Sequence, residues 1–184
     1  MTSTPSLRAD AQKNRDRILA AAEKVFLEKG ASASLDDVAR TAEVGIGTLY
    51  RRFPTREDLL AAAYSARFLA LAGASRQRAA DLAPLGAIRA YLEELVHQTN
   101  IYRGLAASLE TVLQIGTPGC LATTEEGMRL LERAQQVGAV NANVGFNDLI
   151  CVATAISLAT EREEADRARI VHLVNIFIGG IGRR

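Results

Sequence analysis

The feature that most constrains the fold is the stretch SLDDVARTAEVGIGTLYRRFP, residues 34–54, which predicts two short helices joined by a tight turn. Ser34 is a favourable N-cap, and the acidic residues after it suit the start of a helix. Gly45 is expected to supply a positive φ in the turn. The second helix begins near Ile46 and ends before the proline, since the residue preceding proline disfavours the α region. This arrangement is typical of a helix-turn-helix unit, whose second helix enters the major groove of DNA.

The second short helix carries residue types that suit contact with DNA. Small residues at its start, Gly47 and Thr48, allow the backbone to approach base edges in a groove about 12 Å wide. Tyr50, Arg51 and Arg52 can donate hydrogen bonds to phosphate. A half-buried core position for Tyr50 and an ordinary solvated face for the two arginines remain the alternatives. The pattern therefore predicts a DNA-reading helix with a small leading end and a cationic trailing end.

The rest of the chain predicts helices throughout, because proline is rare, strand signals are weak and apolar residues recur at helical spacing. Residues 1–11 are interpreted as a flexible polar arm. The other predicted helices lie at 13–29, 56–72, 87–98, 102–115, 120–137, 146–159 and 169–179. The predicted fold class is all-α.

The overall charge and the cysteines argue against a uniformly basic chain, a disulfide-rich protein and a protein with a cysteine-bound zinc ion. The net charge is +1, from 22 basic and 21 acidic residues, so only a local cluster of charge could favour a polyanionic partner. Cys120 and Cys151 match neither a disulfide framework nor a zinc spacing, which indicates a reducing compartment. No secretory signal and no apolar run of membrane-spanning length is found. We expect a cytoplasmic protein without a membrane partner.

The stretch from Ile18 to Leu60, ILAAAEKVFLEKGASASLDDVARTAEVGIGTLYRRFPTREDLL, resembles the DNA-binding region of the TetR (tetracycline repressor) family of bacterial transcriptional regulators. The resemblance implies an all-α homodimer of about nine helices. It implies a helix-turn-helix DNA-binding domain, placed at 12–55, and a ligand-binding and dimerisation domain, placed at 56–184. Such a protein binds a palindromic double-stranded DNA operator and is released by a small-molecule effector, so a repressor with no cofactor and no enzymatic activity is expected.

The resemblance also implies roles for individual residues. Ile46, Gly47 and Thr48 would face bases, and a second group would mostly hold phosphates: Ser34, Tyr50, Arg51, Arg52 and Arg56. A histidine is common in the family where Arg52 stands, and a lysine where Arg56 stands; both replacements keep a hydrogen-bond donor. Lysine or glutamine is frequent where Ile46 stands. Because Ile46 cannot hydrogen-bond to a base, it either makes apolar contact or leaves base readout to other residues.

The C-terminal part yields two less specific predictions. An effector cavity among the helices of 86–137 would be lined by His97, Tyr102, Arg103, Glu110, Gln114 and Met128, although an ordinary interior or surface role is the alternative for each. The last two helices are apolar on most faces, which favours burial on more than one side. They are predicted to form a four-helix dimer interface through Phe146, Ile150, Ala153, Ile156, Ile170, Val174 and Phe177. Burial in the monomer core is the alternative.

Other candidate sites are weaker. Glu93 and His97 are spaced to share a helix face, but no second pair stands at a matching spacing, so no metal site is expected. Cys120 is either a redox-sensitive thiol or an ordinary residue, and Cys151 is expected to be packed. No catalytic constellation stands out. The functional alternatives are an activator of the same fold, or a helical small-molecule-binding protein or enzyme that does not bind DNA.

Overall fold

The computed structural model describes residues 4–161 and 167–182, with side chains from Ala9 onward, and these ranges contain nine α-helices. The first three are α1 (Thr4–Lys29), α2 (Leu35–Thr41) and α3 (Ile46–Arg52). The remaining helices are α4 (Arg56–Arg78), α5 (Pro84–Asn100), a 3-10 helix (Ala106–Ser108), α6 (Leu109–Gln114), α7 (Pro118–Gln136), α8 (Phe146–Thr160) and α9 (Arg167–Ile181). The predicted all-α class is confirmed.

Local capping explains where the helices of the N-terminal part begin and end. The Ser34 hydroxyl accepts a hydrogen bond from the backbone nitrogen of Asp36 at 3.2 Å and so caps α2. Thr55 and Asp58 cap α4 reciprocally, since each side chain accepts a 3.0 Å bond from the other's backbone nitrogen. Gly30, at φ +88°, ends α1 in the left-handed conformation. These boundaries agree with the sequence predictions.

The turn between α2 and α3 differs from the prediction. Gly45 has a φ of −68°, so it does not supply the positive φ. Glu43 adopts it instead, at φ 52°. Its carboxylate accepts a 2.7 Å hydrogen bond from Arg17 of α1, which holds the turn against the first helix. The left-handed residue of this turn is therefore Glu43 and not the glycine.

Three predicted segments have different limits in the structure. The helix α1 begins at Thr4, so the prediction of a flexible arm is wrong for residues 4–11, and residues 1–3 lie outside the described ranges. The helix α4 continues to Arg78 rather than ending near residue 72. The predicted helix 102–115 is divided, with a turn at Gly104 (φ +87°) ahead of the 3-10 helix and α6. In this turn, the carbonyl oxygen of Arg103 accepts a hydrogen bond from the backbone nitrogen of Ala31, and the Gly104 nitrogen donates to the Glu161 carboxylate.

The N-terminal helices and the start of α4 share one apolar core. Its members are nearly or fully buried and come from all four elements: Ile18, Val25, Phe26, Val38, Leu49 and Leu59. Because α3 buries Leu49 in this core, the other side of α3 is left at the surface. Packing of a few apolar residues thereby orients the candidate DNA-reading face.

The two longest helices of the C-terminal part, α4 and α7, form the most extensive helix pair among the described residues. The backbone nitrogen of Gly119 donates to the Ser65 hydroxyl at 3.0 Å near the start of α7. One turn later, the Thr123 hydroxyl donates to the carbonyl oxygen of Phe68 at 3.1 Å. Side-chain bonds across the pair make α4 and α7 one packed unit. Within the described ranges, no helix combines the length and apolar character needed to cross a bilayer.

Glu126 of α7 is fully buried and binds α4 through charge. Its carboxylate accepts hydrogen bonds from Ser75 at 3.1 Å and from Arg76 at 3.2 Å, both on α4. Arg129 adds two bonds of 2.8 Å from the same helix as Glu126. Burial raises the pKa of Glu126, but hydrogen bonds from Arg129, Arg76 and Ser75 outweigh it and hold the pKa below its ordinary value. The ionised carboxylate therefore links the two helices.

Candidate DNA interface and effector cleft

The helix α3 has one inward and one outward side. Leu49 is fully buried, whereas Ile46 is 36% exposed and Tyr50 is 49% exposed. Arg51 and Arg52 are exposed as well. These four predicted DNA-contacting residues are therefore exposed, and Tyr50 is not enclosed in the core.

Gly47 lies on this outward side with open space around it. A Cβ built at Gly47 meets no atom within 4 Å, so nothing in the described protein requires a glycine there. Glycine in a helix is less favourable than alanine by about 1 kcal/mol. The open space at Gly47 leaves room for close approach of an outside partner. This is the best structural support for the predicted contact between α3 and the bases.

Thr48 and Arg51 are already linked to each other. The Arg51 guanidinium donates to the Thr48 hydroxyl at 3.2 Å and to the carbonyl oxygen of Gly47 at 3.2 Å. Thr48 is half-buried, whereas Arg51 is exposed. Direct contact between Thr48 and bases stays a prediction, because the hydroxyl has a partner within α3 but can still donate its own hydrogen.

Two predicted phosphate-binding arginines have partners within the chain. Arg52 donates to the carbonyl oxygen of Ala11 at 2.9 Å and so joins α3 to α1. Arg56 is half-buried and donates to the carbonyl oxygens of Ala31 at 2.9 Å and Ala33 at 2.5 Å. Arg56 therefore fastens the start of α4 to the turn between α1 and α2. Both bonds come from the same guanidinium nitrogen, Nη1, so Arg56 has a structural role, and its predicted phosphate contact through the other nitrogens stays a prediction.

The acidic start of α2 is partly compensated by neighbouring cations. Asp37 accepts hydrogen bonds from Lys29 at 2.7 Å and from Arg40 at 2.8 Å. The bond from Lys29 is the main cause that holds the pKa of Asp37 below its ordinary value. Asp36 is exposed, and the Ser34 hydroxyl lies beside it at the same end of α2. Ser34 can still donate its hydroxyl hydrogen, so its phosphate contact stays a prediction.

A mainly apolar cleft of about 240 Å³ lies between α6, α7 and α8. Its walls include Leu113, Leu121, Phe146 and Ile150, with polar groups added by these residues: Glu110, Gln114, Thr124 and Asn147. Sequence reasoning missed the apolar lining, since a leucine or isoleucine on a helix does not reveal whether it faces a cavity or the core. Of the residues that line this cleft, only the polar Glu110 and Gln114 are predicted from the sequence for the effector site.

Only some of the predicted effector residues meet at this cleft. Glu110 and Gln114 line it, whereas His97 is half-buried elsewhere and Arg103 and Met128 are exposed away from it. Tyr102 is buried, with its ring centroid 4.1 Å from that of Tyr64. Burial raises the pKa of Tyr102, so it stays a neutral packing residue. The prediction for His97, Tyr102, Arg103 and Met128 is not supported, because their packing keeps them away from the cleft.

The predicted dimer residues face mainly into the protomer. Five of them are buried within the single chain and leave no surface for a partner: Ile150, Ala153, Ile156, Ile170 and Val174. The prediction is wrong for these five, and the alternative of burial in the monomer core holds, because α8 and α9 both pack on α5. Phe146 and Phe177 are half-buried, and Phe146 lines the cleft.

The outward surface of α8 and α9 consists of other residues. Leu158 is 48% exposed and Ile176 is 61% exposed, although both are large and apolar. Cys151 of α8 is also exposed, so the prediction that it is packed is wrong. Cys120 is buried and its thiol donates to the carbonyl oxygen of Val112 at 3.1 Å. Burial raises the pKa of Cys120, which favours its ordinary structural interpretation over a reactive thiol.

Comparisons with protein families match both parts of the chain. Residues 18–63 match the family model described as "Bacterial regulatory proteins, tetR family". Residues 83–183 match the model described as "Transcriptional regulator SbtR-like, C-terminal domain". An HTH-type transcriptional regulator of Staphylococcus aureus (strain USA300) is 43% identical over 54 residues, which is 29% of this chain and 29% of that regulator. The similarity to the curated relatives thus spans less than a third of their length.

Solved structures extend the similarity to almost the whole chain. A TetR transcriptional regulator from Streptomyces coelicolor is 32% identical with a TM-score of 0.56, over 91% of this chain and 98% of that one. RolR in complex with resorcinol is 18% identical with a TM-score of 0.71, over 96% of this chain and 91% of that one. FadR from Bacillus subtilis in complex with stearoyl-CoA is 15% identical with a TM-score of 0.63, over 91% and 99%. Because RolR and FadR are less than 25% identical to this chain, they show a shared fold only.

Proposed function

The chain belongs to the TetR family of bacterial transcriptional regulators, and from this premise we propose that it is a cytoplasmic repressor released from a palindromic operator by a small molecule. Proteins of this family are DNA-binding regulators and not enzymes. The proposal adds three specific elements to family membership: repression, response to an effector and binding of the operator by a homodimer.

The observation that carries the proposal is that one helix, α7, belongs both to the effector cleft and to the packed unit with α4. Leu121 and Thr124 of α7 line the cleft. On its other side, Thr123 bonds to Phe68 of α4. The start of α4 is fastened by Arg56 to the turn between α1 and α2. A ligand that shifts α7 would therefore shift α4 and the DNA-reading head with it.

The lining of the cleft limits the class of effector. Its volume of about 240 Å³ lies below the range of roughly 300–1,000 Å³ that is usual for drug-sized ligands. The Glu110 carboxylate can accept a hydrogen bond, and the Gln114 amide can donate or accept one. A small, mainly apolar molecule with a hydrogen-bonding group fits this lining. Similar folds hold ligands as different as resorcinol and stearoyl-CoA, so the fold alone does not name the effector.

The exposed apolar surface of α8 and α9 supports the homodimer. Leu158 and Ile176 would leave two large apolar side chains about half exposed to water if the chain remained alone. Pairing this surface with its copy forms a two-fold four-helix interface. Such a dimer carries two copies of α3, which can read two half-sites spaced about 34 Å apart on one face of the duplex.

Selection of duplexes from a random pool tests the DNA-binding part of the proposal. The full-length protein is expected to enrich a palindrome whose half-site centres lie about one helical turn apart. If no sequence is enriched over competitor DNA at moderate salt, the proposal fails. Transcription in vitro from a promoter that contains the enriched site then separates a repressor from an activator.

The effector part is tested with the same duplex and a panel of small apolar alcohols, acids and amides. At least one compound is expected to dissociate the native protein from the duplex. Leu121→Trp would fill the cleft, because Leu121 is 51% exposed at its edge. This variant should bind the duplex normally and resist the compound. Equal release of variant and native protein would place the effector outside this cleft.

A further inference from the structure

A basic groove of about 220 Å³ separates the N-terminal half of α1 from α3, and we call it the α1–α3 groove. Its polar lining consists of Asn14 and Arg15 from α1 and Thr48, Arg51 and Arg52 from α3. We propose that the α1–α3 groove binds one backbone phosphate of DNA, with Asn14 and Arg15 as DNA contacts additional to the helix-turn-helix unit. The sequence indicates only that Arg15 belongs to a basic N-terminal stretch, and it assigns no role to Asn14.

The α1–α3 groove is lined by an excess of positive charge. Three arginines line the groove, and no carboxylate among the described residues does. Two other cations of the N-terminal part are paired with carboxylates: Arg17 pairs with Glu43, and Lys29 pairs with Asp37. Arg15 and Arg51 have no such carboxylate partner within the described side chains. In a chain with a net charge of +1, this local excess of positive charge suits an anion.

Hydrogen-bond donors lie on both walls of the α1–α3 groove. The bond of 2.9 Å from Arg52 to the carbonyl oxygen of Ala11 fastens α1 to α3 and fixes the width of the groove. The bond of 3.2 Å from Arg51 to Thr48 orients a second guanidinium along the same wall. Arg15 is half-buried on the opposite wall, and its guanidinium makes no bond to any side chain or carbonyl that the structure describes. Planar guanidinium groups on two walls are suited to the oxygens of a phosphate.

The position of Arg51 indicates that the phosphate belongs to DNA. Arg51 belongs both to the groove and to the exposed side of α3 that carries Gly47 and Tyr50. A phosphate in the groove therefore lies beside the helix that enters the major groove, where the duplex backbone is within reach. Backbone contacts of this kind position a protein on DNA and do not read its sequence. Arg52 acts here as a positioning residue, because its donor holds α1 in place.

This inference rests only on DNA binding, which family membership supports, and not on repression or on an effector. The test measures the affinity of the full-length protein for its selected operator and for a random duplex over a series of salt concentrations. Arg15→Gln is compared with Arg89→Gln, which removes the same charge from an exposed position on α5. Both variants are first compared with native protein by thermal unfolding.

Arg15→Gln is expected to weaken binding of both duplexes by a similar factor and to reduce the slope of log affinity against log salt by about one. Arg89→Gln should change neither. Arg15→Lys, which keeps the charge and loses the planar fork, should retain the native slope. The proposal is overturned if Arg15→Gln keeps the native slope, or if its loss of affinity is confined to the operator.

A second experiment adds inorganic phosphate at constant ionic strength. It tests whether the groove is a site for a phosphate of the DNA backbone or for a free phosphate anion. We expect inorganic phosphate to bind the native protein weakly and to compete with the duplex. If instead it binds tightly, Arg15→Gln abolishes that binding, and the variant still binds DNA as the native protein does, then the groove is a site for free phosphate and the proposal is wrong.

Discussion

The backbone nitrogen of Ala31 donates a 2.7 Å hydrogen bond to the carbonyl oxygen of Arg103, which joins the turn after α1 to the segment after α5. The next residue, Gly104, donates its N–H to the carboxylate of Glu161 just beyond α8. The DNA-binding helices are thus held to the C-terminal helices by this contact as well as by α4. The orientation of the reading head depends on both connections.

Gly30→Ala tests the contact between the two parts of the chain. Gly30 has a φ of +88°, and an added Cβ would lie 2.7 Å from the carbonyl oxygen of Arg103. The variant must either strain the backbone or displace the segment after α5. We expect the free energy of unfolding in urea to fall by about 1–3 kcal/mol. A variant as stable as the native protein would mean that this contact is easily rearranged.

Gly47→Ala is the matched substitution with the opposite expectation for stability. No atom lies within 4 Å of the added Cβ, and alanine is the better helix residue. The free energy of unfolding should rise by about 0.5–1 kcal/mol, whereas affinity for the selected operator should fall because the new methyl group prevents close approach. Fluorescence anisotropy measures the affinity. Unchanged affinity would contradict the role that we assign to Gly47.

Tyr50→Phe removes a hydroxyl that is available to a phosphate, since Tyr50 is 49% exposed on α3. Loss of one hydrogen bond to a charged group should weaken binding by about 1.5–3 kcal/mol. The loss should be similar for all duplexes, because phosphate contacts carry no sequence information. Anisotropy with the operator and a random duplex checks this. A loss limited to the operator would show that Tyr50 reads bases.

Glu126→Gln should reduce stability in a pH-dependent manner. Hydrogen bonds from Arg129, Arg76 and Ser75 overcome the effect of burial and hold the folded-state pKa of Glu126 below its ordinary value of 4.5. The ionised carboxylate therefore stabilises the fold above that value, and the contribution disappears as pH falls through the lower folded-state pKa. At pH 7 we expect a loss of about 1–3 kcal/mol in urea unfolding.

The difference between Glu126→Gln and native protein should narrow at pH values below the ordinary pKa of the carboxyl group. Glu125→Gln is the matched control, because Glu125 is the exposed neighbour on the same helix. It should leave stability almost unchanged at every pH. A constant difference between Glu126→Gln and native protein across the whole range would exclude the ionised carboxylate as the cause.

Ile176→Glu tests the proposed dimer surface. Ile176 is 61% exposed on α9, so a glutamate there should leave the protomer folded but place a charge in the interface. Sedimentation is expected to give a dimer for the native protein and a monomer for the variant. Leu27→Glu, at a position 56% exposed on α1, is the control and should remain dimeric. A monomeric native protein at micromolar concentration would refute the dimer.

Local signals predicted the helix-turn-helix unit well, because its ends depend on neighbouring residues. Ser34 and Thr55 cap their helices as expected, and Gly30 ends α1. The same reasoning failed at Gly45, because the positive φ lies at Glu43, whose carboxylate accepts a hydrogen bond from Arg17. It failed again after residue 102, because the bonds that divide the predicted helix come from distant elements.

Sequence alone determined the class of fold, the reading helix and the family resemblance, since helical period, capping and turn residues act over a few neighbouring positions. Only the tertiary structure decided how each apolar or basic side chain is used. Ile150 and Val174 face the protomer core, and Arg56 binds main-chain carbonyls. Arg15 instead reaches a groove beside α3. The physical reason is that a side chain's chemistry permits several partners, and only packing between distant helices selects one of them.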